Sequence, residues 1–256
     1  ARPLRGGEAR DLAVRNRPVL VAHLLYAASV VWMFWPALAP GRLVYGHDAW
    51  AHYLPLREYA ASEVLLGRFP GWNPYLFCGV PCAANPQIGI FYPPNLTFLL
   101  LPGELALTAS AMLHLYLAAA FAWHLARAVD IEPAPALLAG FAWGFGGFAT
   151  SHLLAGHATF LASLPWLPLL FLALERWARG GGSRAVALGA VATGLALLAG
   201  HPQFPYFDAL AAIAWLLHRS LLTPRRGLVR LWGGAGAMAA LGLGLAAVQL
   251  IPTARF

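Results

Sequence analysis

The 256-residue chain is 60% hydrophobic and 11% charged, with a formal net charge of +7. That balance departs from the soluble average in both directions and points to a polytopic membrane protein. It argues against nucleic acid as a partner, because every basic residue is Arg and most stand between apolar segments rather than in one basic patch.

In chain order, residues 1–18 read as a cytoplasmic amino-terminal segment and 19–39 as a first transmembrane helix. Ala37-Leu38-Ala39 has the small-x-small form of a signal cleavage site, but Pro40 behind it and the length of the apolar run favour a retained helix. Residues 40–104 form a long loop. Six further transmembrane helices arranged in hairpins fill 105–256, at 105–126, 136–153, 159–174, 185–200, 206–218 and 231–252. The expected fold class is therefore all-α, with about seven spans at ~20 residues per crossing. Of the 17 basic residues, only Arg42, Arg57, Arg68 and Arg255 fall on the side of the long loop, which leaves thirteen on the other. The positive-inside rule then makes the amino terminus cytoplasmic and the first loop extracytoplasmic.

Within that loop, "HDAWAHYLPLREYAASEVLLG" sets Trp50, Tyr53, Leu54, Ala61, Val64 and Leu65 at helical spacing. This predicts a surface helix beginning near Pro55, with Trp50 and Tyr53 holding the preceding turn at the interface. From Phe69 to Pro94, repeated prolines forbid a continuous helix. Trp72, Tyr75, Phe77, Phe91 and Tyr92 instead predict an ordered, irregular cap packed on the bundle. The only cysteines, Cys78 and Cys82, fall in "CGVPC". A disulfide and two free thiols are both open readings, and two Cys do not suffice for a zinc site. The Gly-rich stretches "GFGG" and "RGGGSR" lack the strand context and the Lys of a phosphate loop and read as helix packing and a turn.

Polar groups concentrate at the loop side: His152, His157, His201, Gln203, Asp208 and Gln249 all fall near that end of their helices, as does Asp48. Ionisable groups at membrane depth are costly, so their convergence predicts a shared cavity. Asp48 is the candidate base, and its bland alternative is a helix cap. His157 and His201 each follow a Gly, in "AGHATF" and "AGHPQF", and with Gln203 they are candidates for a phosphate or a sugar hydroxyl. For each His alone, a satisfied helix-end hydrogen bond is the alternative. A divalent metal held by Asp48 and these His is left open. Arg57 and Arg68 are candidates for an anionic headgroup, against snorkelling beside Glu58 or Glu63. His23, His114, His124 and His218 read as structural.

The stretch "GRFPGWNPYLFCGVPCAANPQIGIFYPPN", followed in order by "SHLLAGHATF", "GHPQF" and "QLIPTARF", resembles the YfhO-like bacterial membrane proteins over nearly the whole chain from Gly46 to Phe256. That family is grouped with the GT-C membrane glycosyltransferases, and its members are longer than this chain. The resemblance implies a GT-C-like bundle in the bacterial plasma membrane, a polyprenyl-phosphate-linked sugar as donor, and an extracytoplasmic glycan, lipid or protein as acceptor. It places Asp48, in "GHDAW", at the family's acidic position. His47 precedes it where many members of the superfamily carry a second acid, which weakens a paired-carboxylate metal site. With Asp48 as catalytic base, substrate contacts are assigned to His47, His52, Arg57, Trp72, Asn73, Tyr75, Asn85, Gln87, Tyr92, His157, His201 and Gln203. A transporter or flippase, or a non-catalytic binder of lipid-linked sugars, is the competing expectation.

Overall fold

The computed structural model describes residues 6–39, 41–43 and 46–256, with side chains from Arg17 onward. The first five residues of the expected amino-terminal segment lie outside the described residues. Among the described residues the protein is all-α apart from one minimal hairpin, and five helices are long and apolar enough to cross a membrane. These are 17–37 in α1 (Gly6–Phe34 and the turn after it), α3 (Gly103–Ala128), α4–α5 (Pro133–Phe145 and Gly147–Ala155), α6–α7 (Ala158–Ser163 and Trp166–Ala178) and α10 (Arg225–Arg255). Helix α8 (Ser183–Leu198) is apolar but shorter, and α9 (Gln203–Leu221) connects it to α10.

Why these helices pack is visible in their small residues. Helix α1 buries Ala22, Tyr26, Val30 and Phe34, spaced four apart on one face, and leaves Leu20, Leu24, Val31 and Trp32 exposed. Gly140 of α4 has no room for a side chain, since a Cβ there would sit 2.0 Å from the Tyr26 hydroxyl, which itself donates to the Leu137 carbonyl. The same device joins α8 to α10, where Gly189 faces Met238 and Gly242 faces Thr193. Helix α3 lies at the centre, its alanines letting α1, α4 and α7 approach closely.

The two ends of the bundle are held differently. At the end away from the loop, the buried Glu175 carboxylate accepts from Arg179 and Arg219, and Arg179 also pairs with Asp130. Arg230 donates to the carbonyls of Trp177 and Gly181 while lying over the Trp177 ring. At the loop end the partners are mostly backbone. Gln249 donates to the Ala83 carbonyl and Thr253 to that of Ala84, so the last turns of α10 hold the loop onto the bundle.

The loop is ordered, as expected, but its helix starts earlier than the proline suggested. Helical structure begins at His47, widens to a π-turn over Ala49–Tyr53 and continues as α2 (Leu54–Leu65). A π-turn accommodates Pro55 near the start of α2, where its missing N–H has little effect. Strands β1 (Trp72–Asn73) and β2 (Val80–Pro81) pair antiparallel. Both thiols are free; Cys82 is buried beside Leu56, Ala60 and Ile88, and burial pushes its thiol up to about 11.

Beneath the loop, Tyr92 is wholly enclosed. Its hydroxyl lies 2.6 Å from His114 Nε2 and 3.1 Å from the Ala162 carbonyl, and it accepts from the Trp166 indole at 3.2 Å. His114 Nδ1 meets the Ser110 carbonyl at 2.5 Å, so its Nε2 is left as the acceptor. Tyr92 therefore ties the loop to α3 and α7 instead of presenting itself to a substrate. Tyr92→Phe strands these partners in an apolar setting and is expected to cost about 1–3 kcal/mol of stability. A thermal melt of the purified protein checks this, and an unchanged midpoint would contradict the structural role.

Candidate active site at the mouth of the bundle

Asp48 stands at the start of the π-turn, and its carboxylate makes no capping hydrogen bond. The bland reading of this residue as a helix cap is therefore not what the structure holds. Instead Oδ2 lies 3.5 Å from His157 Nε2 and Oδ1 lies 3.7 Å from His47 Nδ1, with the Asp48 side chain 51% exposed. His157 continues inward, its Nδ1 2.6 Å from His152 Nδ1. Only one of those two nitrogens can carry the proton between them. With the His157 Nε2–H facing the carboxylate, His152 donates and His157 accepts, which makes an oriented line from His152 through His157 to Asp48.

Backbone contact creates this geometry. Helix α5 ends at Gly156, whose φ of +89° permits the left-handed turn, and the N–H groups of Gly156 and His157 both return to the His152 carbonyl. That turn folds the His157 ring back over His152. Gly156 then lies directly on the Asp48 turn: a Cβ would sit 2.6 Å from Ala49 N and 2.7 Å from the Gly46 carbonyl. Gly46 returns the contact, with a Cβ there only 1.9 Å from the Leu154 carbonyl. Two glycines thus press two turns together, far apart in sequence, and the acid and the imidazole meet as a result.

The second "AGH" turn is built in parallel. Gly200, at φ +85°, lies against the Pro86 carbonyl, and His201 follows it. His201 Nδ1 is 3.3 Å from the Thr159 hydroxyl, which in turn is 3.1 Å from the Tyr53 hydroxyl. Phe160 separates the two histidine groups, stacked on His152 and edge-on to His201. Burial, with the neighbouring His157 adding to it, lowers the His201 imidazole below its ordinary range, against an opposing hydrogen bond to Gln203. His52 reaches Gln87 at 3.2 Å on the outer side of the same surface.

Not every expected residue joins this cluster. Arg57 is only 3% exposed, covered by the rings of Tyr53 and Phe98, so it is not offered to a headgroup as expected. Arg68 is held by both oxygens of Glu63. Asn73 and Asn85 use their side-chain oxygens to accept from the amides of Tyr75 and Gln87, which fixes two Asn-Pro turns. Trp72 and Tyr75 pack around Tyr59 of α2 and remain largely exposed, so this part of the loop forms a flank and not a roof. Among the described residues, no group of three or more His, Cys, Asp or Glu side chains is arranged to hold a metal ion. The sequence places His152 among the converging polar groups but not among the substrate contacts; the signal for its pairing was the "HLLAGH" spacing, which sets two His on either side of a helix-ending Gly.

Comparison with protein-family models, curated proteins and solved structures finds no match for this chain.

Two outcomes follow from the geometry. Gly156→Ala puts a methyl group into the Asp48 turn and strains a positive φ, and is expected to lower the thermal midpoint. Gly147→Ala, where a Cβ meets nothing within 4 Å, serves as the control. The lowered His201 imidazole means that the unfolded chain binds more protons than the folded one below about pH 6.5, so stability falls as pH falls through that range. Melts at pH 7 and pH 5 should show this loss, and His201→Gln should reduce it; an identical loss in the variant would contradict the assignment.

Proposed function

We propose that the chain is the amino-terminal catalytic portion of a GT-C-type membrane glycosyltransferase, resembling the YfhO-like proteins, in the bacterial plasma membrane. On this reading α8 and α9 also cross the bilayer, giving seven spans, with the amino terminus cytoplasmic and Asp48 on the outer side. The observation that carries the reading is a carboxylate backed by a two-histidine line at the end of an apolar bundle, open to solvent and level with the helix ends.

The chemistry suits that arrangement. Asp48 takes the proton of an acceptor hydroxyl as its oxygen bonds to the anomeric carbon of the donor sugar. The bond from that carbon to the phosphate oxygen breaks on the opposite face, and polyprenyl phosphate leaves. General-base assistance of this kind contributes about 10²–10⁴-fold. His157 holds the carboxylate in place and, through His152, steadies the charge as it changes. A lipid-linked donor reaches the site from the bilayer plane, which accounts for a base placed at the mouth of the bundle. His47 stands beside the pair, and with His201, Gln203 and His52 at the same end of the bundle it is left to contact phosphate or sugar.

Transport of the lipid-linked sugar is the weaker reading, because the space below the histidines is filled by Phe160, Leu161, Leu164 and the Tyr92–His114–Trp166 group. The test is sugar transfer from polyprenyl-phosphate donor in membranes carrying Asp48→Asn. Loss of about 10²-fold or more in turnover, with the protein still folded, is expected. Full activity would remove Asp48 as the base.

A further inference from the structure

At the end of the bundle opposite Asp48, the ends of α3 and α7 and the start of α8 border an open cleft of about 720 Å³. Its wall is cationic: Arg127, Arg176, Arg179 and Arg184 line it together with His124 and the Gly180–Gly182 turn. The acids nearby compensate Arg179 but leave the rest of the wall cationic. Asp130 and Glu175 are both engaged by Arg179, and Glu175 also by Arg219. Arg127 donates to the Ile131 carbonyl, while Arg176 and Arg184 have no ion pair among the described residues.

The backbone adds to this. Helix α8 is 16 residues long and is capped by Gly182, which offers no side chain to its first amides. A Cβ at Gly180 or Gly182 would meet nothing within 4 Å, so no side chain crowds those two positions, while the Gly180 and Gly181 N–H groups donate to the Trp177 and Arg176 carbonyls. The favourable dipole at the amino terminus of α8, with guanidinium groups around it, is suited to a phosphate. The site also lies where the apolar spans 103–128 and 158–178 end, which is the level of lipid headgroups. A soluble phosphate would gain nothing from that depth, whereas a phospholipid leaves its acyl chains beside the helices.

We propose that this cleft binds the phosphate headgroup of an anionic membrane phospholipid. The site is independent of the chemistry at Asp48 and anchors the far end of the bundle in a negatively charged leaflet. Arginines near such a surface act additively, so losing two reduces binding roughly tenfold or more.

The experiment reconstitutes the full chain in phosphatidylcholine nanodiscs with and without phosphatidylglycerol and measures retained lipid by native mass spectrometry. Wild-type protein should retain phosphatidylglycerol, and Arg176→Gln with Arg184→Gln should lose it roughly tenfold. Arg42→Gln, at the opposite end, should not lose it. Equal loss in the two variants, or no loss in either, would overturn the proposal. Inorganic phosphate is the second arm: if it displaces the lipid at comparable concentration, the commitment to a lipid is wrong. Should the double variant fail to fold by circular dichroism, the single Arg184→Gln change and the wild-type lipid preference decide the matter by the same criteria.

Discussion

Two turns with no sequence relation, one from the first loop and one from the break between α5 and α6, are in contact through Gly46 and Gly156 with no space for a side chain between them. Everything at the mouth of the bundle depends on that contact. Helix propensity and apolar burial place the elements, but neither would bring Asp48 within 3.5 Å of His157. Close backbone approach does so, and only glycine allows it here, because Gly156 also has to adopt a left-handed φ.

The same logic divides the molecule into two ends with different physics. At the mouth, loop and helix ends are joined by backbone contacts and neutral hydrogen bonds, which leaves the carboxylate and imidazoles available to a ligand. At the far end, the buried Glu175 carboxylate is paired with Arg179 and Arg219 and joins α7 to α9, while Asp130, exposed after α3, pairs with Arg179. Removing either arginine partner would leave the buried Glu175 charge short of compensation in an apolar setting. One end is held rigid by charge, and the other is held by shape.

Much of this was legible in the sequence and some was not. Five of the seven apolar runs mark helices long and apolar enough to cross a membrane among the described residues, and the paired "AGH" turns mark the histidines that reach Asp48 and Thr159, because a Gly at a helix end folds the next residue back over the last turn. The early start of the surface helix was hidden by Pro55, since a π-turn has no composition signal of its own. Tyr92, Asn73 and Asn85 read as ligands because they are polar groups in an aromatic loop. Contacts distant in sequence enclose Tyr92, and bonds to the amide two residues on occupy the Asn73 and Asn85 oxygens, so all three hold the structure. Arg57 misled for the same reason: Phe98, forty-one residues on, covers it.

If Asp48 and His157 act as one unit, removing the second after the first should do little more harm. The direct measurement is a double-mutant cycle on sugar transfer with Asp48→Asn, His157→Gln and the pair. The account predicts that the double variant is about as slow as Asp48→Asn alone. Losses that multiply, as for two independent residues, would contradict it.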